Sequence, residues 1–524
     1  MSKPAPNFLF IITDQQRFDW LGCNGHPVVK TPHIDALAAN GTNFTRCHVA
    51  SPVCMPNRAS LMTGRYPSVH GLRYNGNALT PDAVTFADVL QQGGYQTATI
   101  GKSHLQPFSD VKPFSRVDED SLGPLDEARF SDQTMHRQEE PTRFAADEPA
   151  AFPDGYYGFQ HVDLVTGHGD RPGGHYRQWL RQNYPNWEAL IDRDNELPHN
   201  YSAPQTFRTP VPEEAYATSY IRDRAIDYIG AQQSNTAPFF AFVSFPDPHH
   251  PFNPPGKYWD MYDPDDFEVP LEYDAHHNPT PPMQSVRADQ LDGIAPKTPQ
   301  TVYMANKRHI QESMALTAGM ITMVDDAVGA IVQQLKDTGQ YDNTVIVFTS
   351  DHGDYLGDFS MMLKGALPFD GITHVPFIWS DPADRAPRLT NHLVSTIDLA
   401  PTIIARAGLK PYWGIQGHDI SALAMGGDAA PVRTRHIVEY HDGLPRFGFA
   451  KPACVRALIT DDYRLTLYKG EPFGDLYDLN ADPQETHNRF DDPAYADIRA
   501  GLVQELADEM MAMMDPSPRS HRLA

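Results

Sequence analysis

A chain of 524 residues exceeds one ordinary hydrophobic core, so a large domain with a smaller companion is expected. Its formal charge of −25 leaves no basic stripe for phosphates, which argues against nucleic acid but not against a small anion held in a local cationic cleft. No apolar run approaches the ~18 residues of a membrane span, and four irregularly spaced cysteines form neither a disulfide framework nor a zinc pattern.

In chain order, the first element is the apolar run Phe8–Thr13. It is too short and wrongly flanked for a signal peptide and reads as a strand, with a cytoplasmic location as the matching expectation. It runs directly into Asp14-Gln15. The segment 54–64 follows, Cys-Met-Pro-Asn-Arg-Ala-Ser-Leu-Met-Thr-Gly, with Pro56 and Arg58 entering a helix. Cys54 therefore sits near a helix N-terminus, where backbone N–H groups and the helix dipole favour negative charge. The strand Tyr95–Ile100 leads into Gly101-Lys102-Ser103-His104.

Residues 109–204 are polar, rich in Gly, Pro, Asp and His, and read as an insertion; 263–299 is a second one, Pro-rich and acidic. Between them, the strand Phe239–Phe245 leads into Pro246-Asp247-Pro248-His249. A long helix spans Ile310 to Leu335. Its Ile310, Met314, Thr317, Ile321, Val324, Val328, Ile331 and Leu335 step by four and three, a core stripe. The strand Thr344–Thr349 leads into Ser350-Asp351-His352-Gly353. After about residue 430, short alternating strands (Val455–Ile459, Tyr463–Tyr468) and a helix near 495–514 suggest a C-terminal α+β subdomain. The expected domains are 1–430 and 431–524.

Buried strands set among helical patterns indicate an α/β domain with a mostly parallel sheet. In such sheets the ligand crevice lies beyond the carboxyl ends of the strands. Four polar clusters, each just past a strand end, would converge there. Asp14, Gln15, Asp351 and His352 supply two carboxylates, an amide oxygen and an imidazole, a set suited to calcium, magnesium or manganese and unlike a structural zinc site.

The Cys54–Gly64 segment and the ordered strand-end clusters resemble the type I sulfatases of the alkaline phosphatase superfamily, close to the arylsulfatase, choline sulfatase and phosphonate monoester hydrolase branch. The resemblance implies an alkaline-phosphatase-like large domain and a sulfatase acting on aryl or alkyl sulfate monoesters. Cys54 would be oxidised by a formylglycine-generating enzyme to formylglycine, the nucleophile. Asp14, Gln15, Asp351 and His352 would bind one Ca2+ or Mn2+. Arg58 and Lys102 would hold the hydrate, His104 would be the base that breaks the covalent intermediate, and His249 and Lys364 would contact the transferring group and leaving oxygen, with His249 the expected general acid. Asn75 matches a substrate contact.

Two departures bear on the substrate. Gln15 replaces a second Asp and His352 replaces an Asn, as in phosphonate monoester hydrolases, whereas Lys102 and His104 keep the sulfatase arrangement. The expected activity is sulfate ester hydrolysis with phosphoester or phosphonate cleavage as a side activity. The alternatives are a phosphonate monoester hydrolase or phosphodiesterase, and an inactive binding homologue. A homo-oligomer, first a dimer, is expected, with no membrane partner.

Overall fold

The computed structural model describes residues 5–109, 134–269, 271–291, 300–427 and 430–517, with 520 and 522. Parts of both expected insertions, 110–133, 270 and 292–299, lie outside the described residues. Fifteen strands occur among the described residues: β1 Asn7–Thr13, β2 Thr42–His48, β3 Gln96–Gly101, β4 His161–Thr166, β5 Phe239–Ser244, β6 Tyr303–Met304, β7 Thr344–Ser350, β8 Met361–Met362, β9 His374–Ser380, β10 Arg388–Thr390, β11 Val394–Ser395, β12 Arg435–His441, β13 Cys454–Thr460, β14 Tyr463–Tyr468 and β15 Gly474–Asp478.

The main sheet has the order β10-β2-β9-β7-β1-β5-β3-β4, with β11 alongside β2. From β7 to β4 the neighbours are all parallel. The strand β9 alone runs against both of its neighbours. Side-chain alternation along β1 explains why both sheet faces are covered. Phe8, Phe10 and Ile12 enter one apolar layer and Leu9 and Ile11 the other, and β7 repeats this with Val345 and Val347 against Ile346 and Phe348.

The predicted long helix spans Lys307–Asp337 and fills the layer behind Leu9 and Ile11. Asn306 caps it by accepting the His309 N–H at 2.9 Å. By length and composition the helix could cross a membrane, but 78% of its apolar window is buried inside the protein. The opposite layer receives the helix Cys54–Thr63, through Met55, Ala59, Leu61 and Met62. A second sheet, β12-β13-β14-β15, is antiparallel throughout. Its Tyr440, Val455, Tyr468 and Tyr477 share an apolar cluster with Tyr355, Phe359 and Phe369 of the main body.

The expected insertion at 109–204 contains more regular structure than its composition suggests. The edge strand β4 and the helix Gly174–Asn183 both lie in it. Leu316 of the long helix is fully buried, whereas Val503 of the C-terminal helix is 38% exposed. Leu316→Ala should cost about 2–5 kcal/mol. Val503→Ala should stay within about 0.5 kcal/mol. Urea unfolding followed by fluorescence checks both.

Candidate active site

Five parallel strands end on the same side, and each hands a polar residue to one cluster. From β1 come Asp14 and Gln15, from β3 Lys102 and His104, from β4 His168, from β5 Asp247, His249 and His250, and from β7 Asp351 and His352. Backbone bonds lock the strand ends together: Asp351 N–H donates to the Thr13 carbonyl and Lys102 N–H to the Ser244 carbonyl. Gly101 has φ +103, and a Cβ there would stand 2.0 Å from the Ser244 carbonyl oxygen, so only glycine allows this approach.

Cys54 is the first residue of its helix, after the extended N-cap Val53. The free Met55 N–H at that end donates to Asn75 Oδ1 at 3.2 Å, so Asn75, expected to contact substrate, caps the helix with its side-chain oxygen. All ten residues of the helix are buried and Cys54 itself is 1% exposed. The sequence reading put Cys54 on an open crevice rather than in the core. It lies instead at the buried floor of the site, because its helix is packed between the sheet end and the layer around Leu399 and Ile403.

Arg58, one turn on, is pinned at three points. Its Nε donates to Asp351 Oδ2 at 2.6 Å, and its Nη1 to the Lys102 carbonyl at 2.8 Å and to Ser244 Oγ at 2.9 Å. Asn57 donates to the Asp351 carbonyl at 2.5 Å and accepts from Ala50 N–H and Thr396 Oγ1. The Cys54 helix is thereby fixed to the end of β7 through two adjacent side chains.

His352 Nδ1 lies 2.8 Å from the Gly353 carbonyl, which can only accept. Nδ1 therefore carries a proton, and Nε2 faces Cys54 Sγ at 3.2 Å and Asp14 Oδ1 at 3.5 Å. One donor atom each from Asp14, Cys54, Asp351 and His352 falls within 4.8 Å of the others. Asp14 Oδ1 is buried without a hydrogen-bond partner. An orphaned carboxylate oxygen beside a second carboxylate and an imidazole nitrogen fits a divalent cation with mainly oxygen ligands.

Gln15 adjoins this group with φ +65. Its backbone N–H donates to Asp351 Oδ1 at 3.1 Å, while its side chain turns to other partners. Oε1 accepts from Lys364 Nζ at 2.7 Å and Nε2 donates to Asp354 Oδ2 at 2.6 Å. Lys364 Nζ also lies 2.8 Å from His249 Nε2, and His249 Nδ1 is 2.5 Å from the His250 carbonyl. His249 is thus the neutral Nδ1–H tautomer with Lys364 donating to it. Burial first, then neighbouring His168, hold its pKa well below the usual histidine range.

Lys102 Nζ donates to Asp14 Oδ2 and stands 2.6 Å from His168 Nε2. The His168 ring stacks on His249 with centroids 3.6 Å apart. Burial raises the Asp14 carboxyl, but Lys102 beside it is the foremost of the neighbours that outweigh burial and bring its pKa well below the usual carboxylate range. The Cys54 thiol is pushed up by burial and Asp14 and drawn down by Lys364, Lys102 and His352, with a net fall. His104 is kept neutral by burial and by Lys102.

His104 has φ +58, and a carboxylate holds it there. Glu139, 1% exposed, accepts the backbone N–H groups of His104, Leu105 and Gln106 at 3.0, 2.9 and 3.0 Å and the Tyr156 hydroxyl at 2.5 Å. His104 Nδ1 has no partner. The structure therefore gathers Cys54, Arg58, Lys102, His104, His249, Lys364, Asp14, Gln15, Asp351 and His352 at one sheet end. The sequence reading missed His168, Asn57, Glu139 and Asp354. His168 had a usable signal, since it follows a strand end like the others. Glu139→Gln should leave backbone donors without their anion and cost about 1–3 kcal/mol, read as a lowered melting temperature.

Comparison with known proteins agrees with this geometry. The family profile described as Sulfatase matches residues 6–409, and that of the N-sulphoglucosamine sulphohydrolase C-terminal region matches 364–512. The chain is 29% identical to the uncharacterized sulfatase YidJ of Escherichia coli K12 over 98% of this chain and 88% of that protein. It is 25% identical to an arylsulfatase of Clostridium perfringens over 96% of this chain and 94% of that protein. Among solved structures, the phosphonate monoester hydrolase of Agrobacterium radiobacter superimposes with a TM-score of 0.78 at 27% identity, covering 99% of this chain and 98% of that one. The chain belongs to the sulfatase family of the alkaline phosphatase superfamily, a family of sulfuric ester hydrolases.

Proposed function

We propose that the protein hydrolyses sulfate monoesters, aryl or alkyl, through a formylglycine made from Cys54 and one divalent cation held by Asp14, Asp351, His352 and the position-54 group, with Gln15 beside them. The carrying observation is the convergence of that ligand group with Lys102 and His104, delivered by the neighbouring strand end. When present, the formylglycine hydrate supplies a hydroxyl nucleophile and the cation, Ca2+ or Mn2+, supplies Lewis acidity.

The chain's own residues do the rest. Arg58, buried and fixed at three points, holds the nucleophile helix and Asp351 in register and adds positive potential beneath the site. Lys102, fully buried, stands between Asp14 and His168, and in this reading binds a non-bridging oxygen of an anionic ester. Lys364 carries a proton on Nζ and hands it toward the leaving oxygen directly or through His249 Nε2, which accepts from it. His104, neutral with an unpartnered Nδ1, takes a proton from the nucleophile in the second half of the reaction. His168, which burial and then Lys102 lower to a pKa of about 3, stands neutral beside Lys102 in the same wall. A cytoplasmic location, maturation by a formylglycine-generating enzyme and a homodimer are parts of this proposal.

The second reading is a phosphonate monoester hydrolase. The TM-score of 0.78 to such an enzyme and the Asp14-Gln15 with Asp351-His352 pattern favour it. The ratio of kcat/KM for an aryl sulfate to that for an aryl phosphonate monoester decides between them. A ratio above one supports the sulfatase, and a ratio below one replaces it by the phosphonate hydrolase.

Mass spectrometry of the tryptic peptide 47–58 should show the thiol-to-aldehyde mass loss at position 54 in protein from a host with converting machinery. Unmodified cysteine there, in active protein, contradicts the nucleophile assignment. His104→Ala should slow steady turnover by about 10²–10⁴-fold and let modified enzyme accumulate, visible in the intact mass. Removing divalent cations with a chelator should abolish turnover, and Ca2+ or Mn2+ should restore it.

A further inference from the structure

Outside the catalytic cluster, two groups among the described residues have the composition and spacing of a metal site. In the first, His33 with Asp325 and Asp326, the Asp325 carboxylate is already taken up by the His33 and Ile34 N–H groups; the second is His48 with Asp370 and His374. The last residue of β2, His48, is the register partner of the first residue of β9, His374. Asp370 opens the short helix Asp370–Thr373 that leads into β9. One donor atom from each of these three residues lies within 4.8 Å of the other two.

Hydrogen-bond bookkeeping shows that this group is short of a proton or a metal ion. His374 Nε2 is 2.9 Å from the Thr45 carbonyl, which can only accept, so Nε2 carries the proton. Its Nδ1 then presents a lone pair to Asp370 Oδ2 at 3.1 Å. Two acceptors at that separation repel unless a proton or a metal ion lies with them. His48 is 5% exposed, and its Nδ1 is buried without a hydrogen-bond partner. Burial keeps this imidazole neutral and therefore able to donate a lone pair.

We propose that His48, Asp370 and His374 form a second metal site, for a zinc-class divalent cation, that pins the end of β2 to the start of β9. Two imidazoles and one carboxylate, with water completing a tetrahedron, are the donor set such ions take. The Thr45 carbonyl acts as the outer partner that fixes the His374 tautomer, a feature typical of metal-bound histidine. The Asp370 side chain is 54% exposed, which gives the ion a route in from solvent. The site shares no residue with the catalytic group, and its nitrogen-rich ligands differ from the oxygen-rich set there. Because β2 runs on through residues 49–53 to Cys54, the ion would brace the segment that carries the nucleophile.

The test is equilibrium dialysis of the full-length protein against micromolar Zn2+ in a large excess of Ca2+, with bound zinc counted by atomic emission. Wild type should retain one zinc per chain, and zinc should raise its melting temperature. His48→Ala should lose that zinc. Asp370→Asn, at an exposed position that leaves the fold intact, should weaken zinc binding by about 10- to 100-fold or more and lose the zinc-dependent rise in melting temperature. If His48→Ala fails to fold, Asp370→Asn decides alone. Folded wild-type protein that retains no zinc shows that His374 is simply an imidazolium paired with Asp370, and overturns the proposal. Zinc retained undiminished by Asp370→Asn also overturns it, by locating the ion elsewhere.

Discussion

The arrangement of the site rests on one buried guanidinium. Arg58 comes from the nucleophile helix, yet its bonds go to Asp351 at the end of β7, to the carbonyl of Lys102 beyond β3, and to Ser244 at the end of β5. A single planar group with donors in fixed directions thus sets the relative positions of three strand ends and the Cys54 helix. Lysine could not do this, because a point charge on a flexible stem carries no such angular information. The remaining oxygen of Asp351 accepts the Gln15 N–H, which brings β1 into the same network.

The junction has an electrostatic cost that identifies its purpose. Arg58, Lys102, Asp14 and Asp351 are all at most 2% exposed, and burying four ionised groups does not by itself stabilise a fold. Apolar residues of the same volume would serve packing better. Their partners are also incomplete: Asp14 Oδ1 and Arg58 Nη2 lack hydrogen bonds. Two residues at the rim, Gln15 and His104, hold positive φ, a strain of about 1–3 kcal/mol each. Unsatisfied charge and backbone strain, gathered at one sheet end, belong to a site prepared for an ion and an anionic substrate.

Much of this was legible in the sequence, and the limits have physical causes. The strands β1, β3, β5 and β7 are buried on both faces and so read as continuous apolar runs, and the residues after them were found with them. The edge strand β4, His-Val-Asp-Leu-Val-Thr, has only Leu164, Val165 and Thr166 buried, so its signal is weak and His168 beyond it was missed. In β9, Pro376 speaks against a central strand. The structure accommodates it where the register with β2 shifts between Phe44 and Cys47. Glu139 could not be found by pattern, because its main partners are three backbone N–H groups, which any residue supplies. The depth of Cys54 was misjudged for a related reason. Its helix carries little amphipathic contrast, and nothing in the segment says that all of its faces are covered.

Gln15 shows how a residue's identity can be set by neighbours that the sequence does not place beside it. Read alone, an amide in place of a carboxylate lowers the negative charge near the metal and points toward a more anionic phosphorus substrate. In the folded chain its Nε2 is 2.6 Å from Asp354 Oδ2 and its Oε1 is 2.7 Å from Lys364 Nζ. A carboxylate at position 15 would set oxygen against oxygen at the Asp354 contact, a buried repulsion that only protonation could relieve. The amide alone satisfies an acceptor on one side and a donor on the other. Its amide joins Lys364, which also reaches His249, to Asp354, and the Asp354 contact favours glutamine over a carboxylate there. The choice between sulfur and phosphorus then rests on the residues that face the ester, Lys102 and His104 with His168 beside them. There the Lys102 ammonium stands beside two histidines, His104 and His168, that burial holds neutral.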